Sequence, residues 1–294
     1  MIYTITNNQI TIKVDSFGAE LKSLVNVENG MEYMWEGNPT YWKRTSPVLF
    51  PLVGSLKNGK YTYEGKEYAM SQHGFARDME FELESCNENE IWFSLLYNEE
   101  TLSKYPFRFK LEIGYQLDAK SVRVLWKVTN LDDKKMYFSI GGHPAFRCPH
   151  ESNRKRSDYF VKFEGADTIK SHRIVEAGLV GNVYDEYLLD EGVIQVADDL
   201  FDKDALIIEE SGIKCVQLLD AERRAYLTVR FDAPLFGVWS PVKEDINESA
   251  PFVCIEPWYG RCDGVDFDKS LDEREWGNTL NGKEIFKAEY VIEI

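Results

Sequence analysis

The chain has 294 residues and a formal net charge of −16, with 44% hydrophobic and 14% aromatic residues. That field repels phosphate backbones and anionic lipid, and no basic stripe offsets it, so nucleic acid and membrane surfaces are not expected partners, whereas a small neutral ligand is compatible. The five cysteines (Cys86, Cys148, Cys215, Cys254 and Cys262) are odd in number and lack a CxxC pair, which argues against a disulfide framework or a structural zinc site and for a reduced, cytoplasmic setting.

The first eight residues read as a strand running into a turn, with neither the basic start nor the apolar centre of a signal peptide. No apolar run approaches the roughly 18 residues of a spanning helix. Asn58-Gly59 and Glu64-Gly65 bracket a strand at 61–63. Alternation of period two then marks strands at 110–117 and 121–129; in the second, Val122, Val124, Trp126 and Val128 share one face and Arg123, Lys127 and Thr129 the other. The basic run Arg154-Lys155-Arg156 reads as a solvated loop, inside a loop-rich zone expected between about residues 148 and 204 that ends in a turn or two at 198–204. Further strands are expected at 214–219 and 225–231, an acidic surface loop at 243–249 and a short helix at 268–276. Asn281-Gly282 precedes a last strand at 287–294. No linker or low-complexity segment divides the chain. The expectation is one all-β domain over residues 1–294, a large antiparallel double-sheet sandwich.

Gly141-Gly142 stands without the spacing of a phosphate-cradling loop, and no GxSxG elbow is present, which removes the nucleotide and esterase readings. Of four histidines, His150 and His172 lie in polar surroundings that read as loop. His73 is followed by Gly74, which permits close approach of a ligand or another backbone, and by Arg77, a rigid five-donor fork. The alternative there is a turn in which Arg77 and Asp78 form a surface pair. His143 precedes Pro144, which holds it extended, and follows two small residues that clear space beside the ring; the alternative is a core-edge histidine bonded to a carbonyl. Residues 252–256 form an apolar strand ending in Glu256, again before a proline. A buried carboxylate is either hydrogen-bonded structurally or kept for proton transfer. Trp258 and Tyr259 follow it, and aromatic faces suit the apolar faces of a sugar ring. Arg44 stands at the polar end of the apolar segment 47–53, where a surface position and a ligand contact are both open.

Taken together, segments 44–54, 72–78, 141–146 and 255–260, with weaker support from 17–24 and 32–35, resemble the aldose 1-epimerase (galactose mutarotase) family, most closely its LacX-type branch, which is related to the hexose-6-phosphate 1-epimerases. The resemblance implies a galactose mutarotase-like β-supersandwich without metal or organic cofactor. In that family a glutamate takes the proton of the C1 hydroxyl while a histidine protonates the ring oxygen; the ring opens, the carbonyl rotates, and closure gives the other anomer. By resemblance Glu256 is the base and His143 the acid. His73, Gln72, Arg77, Arg44 and Trp258 fall in substrate-contacting segments, and Asp204 matches an aspartate that grips sugar hydroxyls.

Mutarotation needs one acid and one base on two oxygens of a single ring, each contributing on the order of 10²–10⁴-fold, and no covalent intermediate. Galactose-type members carry Asn before the second histidine and a glycine pair after the first. Here Gly142 precedes His143, and Phe75-Ala76-Arg77 follow Gly74, a pattern similar to hexose-6-phosphate epimerases; both free hexose and sugar phosphate remain as substrates. Three rivals stand beside this reading. One is a non-catalytic sugar-binding protein on the same fold. Another is a metal-dependent β-barrel enzyme, which usually offers an H-x-H pair that this chain lacks. The third is a glycosidase, which needs a second carboxylate that nothing nominates.

Overall fold

In the computed structural model, which describes residues 1–242 and 249–294, the alternation around Trp126 becomes the strand Ser121–Asn130. Val122, Val124, Trp126 and Val128 are buried. On the opposite face Arg123 reaches Glu289 at 2.7 Å and Lys127 reaches Glu112 at 3.0 Å. Those partners belong to the flanking strands Phe109–Asp118 and Ile285–Glu293, so cross-strand ion pairs cover the wet side while the same strands bury their dry side.

Among the described residues, nine antiparallel strands make one sheet in the order Val193–Gln195, Phe160–Phe163, Cys215–Leu219, Ala225–Phe231, Ile285–Glu293, Ser121–Asn130, Phe109–Asp118, Glu90–Leu96 and Glu82–Cys86. A second sheet runs Val180–Leu188, Thr168–Ile174, Leu206–Glu209, Leu235–Trp239, Phe252–Tyr259, Ile140–Gly142 and Val48–Leu49, with Ala145–Arg147 also paired to Phe252–Tyr259. Their inner faces share one apolar core: Trp126 meets Tyr259 edge-on at 6.4 Å and Phe231 meets Phe236 at 5.1 Å. This is the expected all-β double-sheet sandwich. A three-stranded sheet, Ile2–Thr6, Ile10–Asp15 and Glu20–Asn26, is tied to it by the Tyr115 hydroxyl donating to the Ala19 carbonyl at 2.6 Å.

The strand Phe252–Tyr259 is covered on both faces. Val253 and Ile255 point into the inter-sheet core. Phe252 and Cys254 join an outer apolar patch with Trp35 and Ala145, while Trp258 joins a second patch with Leu49, Val53, Ile207 and Leu235. Glu256 falls between the two patches. Burying a large apolar side chain stabilises by roughly 1.5–3 kcal/mol, so a carboxylate at this position runs against the energetics of its strand.

Several expectations change. The zone 148–204 is not loop-rich: it holds the strands Phe160–Phe163, Thr168–Ile174, Val180–Leu188 and Val193–Gln195. Val180–Leu188 and Val193–Gln195 are sheet edges, and Val183, Tyr184 and Leu188 of the first are exposed, which blurs the alternation. Arg156 of the basic run is buried and donates to Ser240 Oγ at 2.7 Å. The helix expected at 268–276 contracts to one 3-10 turn, Leu271–Glu273. A six-residue helix, Glu99–Lys104, forms instead where Asn98 and Thr101 build a capping box. Residues 243–248 of the expected acidic loop lie outside the described residues. No helix among the described residues is long and apolar enough to cross a membrane.

Candidate active site

Glu256 is interior to its strand rather than at its end. The adjacent strands Ile140–Gly142 and Ala145–Arg147 pair Gly141 with Trp258 and Ala145 with Cys254, a common register that sets His143 opposite Glu256. Their side chains meet on the outer face, His143 Nε2 lying 3.3 Å from Glu256 Oε2. Both are buried, yet Glu256 Oε2 and His143 Nδ1 have no aligned hydrogen-bond partner. The two form the floor of a cleft of about 700 Å³.

Burial sets their protonation. It raises the Glu256 carboxyl well above the usual 4.5, with the negative charge of Asp204 adding to the shift and the nearby Trp258 indole N–H opposing it. It lowers His143 from 6.5 to about 3, helped by the positive charge of Arg77. Burial therefore favours the neutral form of each group, a protonated carboxyl on Glu256 and an uncharged imidazole on His143.

The chain holds His143 from several sides. Its N–H donates to the Pro47 carbonyl at 3.1 Å, and Ala145 N–H to the Thr45 carbonyl at 2.9 Å. That 45–47 segment is clamped by the buried Glu20, whose carboxylate accepts from Thr45 and Ser46 N–H at 2.6 and 2.8 Å. Trp42 stacks on the imidazole at 4.6 Å and Trp239 meets it edge-on at 5.5 Å. The space cleared by the glycine pair is filled by protein: a Cβ on Gly141 would lie 2.6 Å from the Trp258 indole, and one on Gly142 3.0 Å from the Tyr290 hydroxyl.

His73 enters the cleft wall at a φ of 66°, followed by Gly74 at 73°. A Cβ on Gly74 would sit 2.2 Å from the Phe50 carbonyl oxygen, so the close approach that glycine permits is made by backbone. His73 Nδ1 accepts from Gly54 N–H at 3.1 Å. Burial, with the charges of His143, Arg77 and Arg44, lowers its pKa well below the usual value, so the neutral ring carries its proton on Nε2. His73 and His143 rings stand edge to face at 5.7 Å.

Gln72, Arg77, Asp204 and Trp258 also line the cleft. Asp204 adopts a left-handed φ of 74°, a strained state for a non-glycine residue. Arg77 donates to the Gln72 carbonyl at 2.7 Å, while its Nε is buried without a partner. Burial and the like charge of Arg44 pull its pKa to about 10, which leaves it cationic. The Arg77–Asp78 surface pair of the alternative reading is loose, at 3.8 Å. Asp78 instead accepts from Arg44 at 2.7 Å, and Arg44 also reaches the Arg77 carbonyl at 3.4 Å. Arg44 thus stands behind Arg77 and is not part of the cleft lining, because its fork is committed to that loop.

His172 is not in a loop but on the strand Thr168–Ile174, 3.3 Å from Glu209. His150 packs at a tilt against the Tyr226 ring, with centroids 4.2 Å apart. It borders a larger recess of about 1010 Å³, where Glu36, Glu151 and Asp198 are engaged by Arg147, Arg154 and Ser249. Glu20, Trp42, Trp239 and Cys254 were not singled out from sequence. The signal for Cys254 was present: it lies two residues before Glu256, hence on the same strand face. Among the described residues, His143, Cys254 and Glu256 also bring three metal-ligating atoms within 4.8 Å of one another.

Comparison with known proteins bears on this geometry. The family model described as aldose 1-epimerase matches residues 1–267. The plasmid-borne protein LacX of Lactococcus lactis subsp. lactis is 31% identical over 304 residues, spanning 100% of this chain and 99% of LacX. A galactose mutarotase related enzyme from Lactobacillus acidophilus superposes with a TM-score of 0.93 at 36% identity, covering 100% of this chain and 97% of its own. A galactose mutarotase-like protein from Lactobacillus casei ATCC 334 superposes with a TM-score of 0.90 at 29% identity, covering 100% and 99%.

Proposed function

The chain belongs to the aldose 1-epimerase family, and from that premise we propose that it interconverts the α and β anomers of a hexose, with Glu256 as base and His143 as acid. The supporting observation is the buried His143–Glu256 contact of 3.3 Å on the cleft floor. The C1 hydroxyl and the ring oxygen sit on one carbon, so two protein atoms this close together can engage both. The glutamate carboxylate takes the hydroxyl proton as the ring C–O bond breaks, and the imidazolium gives its proton to the ring oxygen. Closure from the other face of the carbonyl reverses both transfers. Burial favours a protonated Glu256 and a neutral His143 in the resting pair. The proton therefore passes from the carboxyl to the imidazole across the 3.3 Å contact when the sugar binds, and the pair then carries one proton through both transfers. His73, with its Nε2 proton, Gln72 and Asp204 hold sugar hydroxyls, and Trp258 supports an apolar ring face. Arg44 acts by bracing Arg77.

A hexose 6-phosphate is the second reading, favoured by the cationic Arg77 in the cleft wall with an unpartnered Nε. Anomer exchange followed by NMR on galactose, glucose and their 6-phosphates separates the two. A preference for phosphates that disappears in Arg77→Ala selects the second. Equal exchange rates in wild type, Glu256→Gln and His143→Asn sink the enzyme reading and leave a sugar-binding protein.

A further inference from the structure

The strand that carries Glu256 also carries Cys254, buried on the same outer face, and His143 faces both from the neighbouring strands. A tetrahedral zinc ion with Zn–N and Zn–O bonds of about 2.0–2.2 Å holds its nitrogen and oxygen ligands about 3.3 Å apart. His143 Nε2 and Glu256 Oε2 already stand 3.3 Å apart, and the Cys254 Sγ completes a set whose atoms all lie within 4.8 Å. Glu256 Oε2 has no aligned hydrogen-bond partner, so little competes for it. The cleft, which His143 and Glu256 line, leaves the fourth position open.

We propose that His143, Cys254 and Glu256 form a binding site for a thiophilic divalent cation, zinc above all, that blocks the acid–base pair. Imidazole, thiolate and carboxylate together suit zinc, and the thiolate discriminates against magnesium and calcium. Binding forms the Zn–S bond as the thiol proton and the proton held by the pair leave to solvent; no electron is transferred. The ion occupies the lone pairs that ring opening uses, so it acts as a reversible inhibitor. Cys254 contributes the sulfur that turns a two-ligand contact into a three-ligand site. The inhibition rests on the proposed epimerase reading, whereas the binding does not.

Cobalt(II) titration of the metal-free protein tests the site directly, in a Cys86→Ser background that removes the exposed thiol. The expected result is one cobalt per chain with a near-ultraviolet thiolate-to-cobalt band, displaced by zinc and absent in Cys254→Ser, Cys254→Ala and His143→Asn. Cys254→Ala removes the sulfur without burying a new polar group, and circular dichroism checks each variant's fold. With sugar present, zinc inhibits anomer exchange, a chelator restores it, and the inhibitory concentration rises by about tenfold or more in either Cys254 variant. No band, or a band retained in both Cys254 variants, overturns the site. A band without measurable exchange in any protein sinks the epimerase reading alone.

Discussion

Two histidine–glutamate contacts occupy the outer face of the same sheet at the same separation, 3.3 Å: His143 with Glu256, and His172 with Glu209. Their surroundings differ. Glu209 accepts from the buried Arg261 at 2.5 Å and from the Trp276 indole at 3.1 Å, and His172 packs on Tyr184 at 4.2 Å. Among the described residues Glu256 has no cation in reach; two apolar patches lie beside it and the charge of Asp204 disfavours ionisation. A carboxylate paired with guanidinium is committed to its charge, while one buried without a cation is poised to exchange a proton. The contact is common to both pairs; what sets His143–Glu256 apart among the described residues is the lack of a counter-ion.

The largest expected effect breaks this comparison outright. Glu256→Gln and His143→Asn each lower the anomer-exchange rate by roughly 10²–10⁴-fold, and the double variant loses little more because the two act as a unit. His172→Asn leaves the rate unchanged by the same NMR assay. Comparable losses at both histidines would refute the distinction.

Stability separates the two glutamates in the opposite sense. Glu209→Gln deprives Arg261 of a buried partner, although Glu275 remains beside it, and costs up to about 3 kcal/mol in denaturant unfolding. Glu256→Gln is expected to stabilise at neutral pH. The sign follows from a folded pKa raised above 4.5: between 4.5 and that raised value the folded chain keeps a proton that the unfolded chain has released, so wild-type stability falls as pH rises through the window. The gain in melting temperature shrinks to nothing as pH drops below about 4.5. His143 has the converse linkage. Its contribution is present above 6.5 and lost as pH falls towards about 3, so His143→Asn makes the protein less sensitive to acid.

A smaller effect sharpens how the pair is positioned. Glu20→Ala frees the Thr45 and Ser46 N–H groups and lets the segment under His143 shift. We expect kcat to fall by about tenfold with KM little changed. An unchanged kcat would make the Glu20 clamp purely structural.

The pH profile of kcat/KM is expected to be a broad bell. Its acid limb marks the second proton joining the pair, and its alkaline limb marks loss of the first. A profile with a limb near 6.5 would place His143 in a solvated setting and contradict its burial.

How much of this was legible in the chain depends on the range of the interaction. Alternation around Val122, Val124, Trp126 and Val128 announced a strand buried on one side, because side-chain direction along a strand is local. The residues with unusual neighbours, His73, His143 and Glu256, were legible for the same reason. Edge strands such as Val180–Leu188 were not, since solvent on both sides erases the pattern. The glycine pair before His143 was read as space for the ring, but Trp258 and Tyr290 fill it from other strands.

The sequence by itself determined an antiparallel β protein with the motifs of this family and marked His143 and Glu256 as candidates for an acid–base pair. Only tertiary structure decided which histidine met which glutamate without a cation between them. It also withdrew Arg44 from the cleft lining to brace Arg77, brought Trp42 and Cys254 to His143, and set Glu20 against the 45–46 segment beside it. The reason is physical: periodicity and proline constraints act over a few residues, whereas a pKa and a counter-ion depend on groups that the register of distant strands brings together.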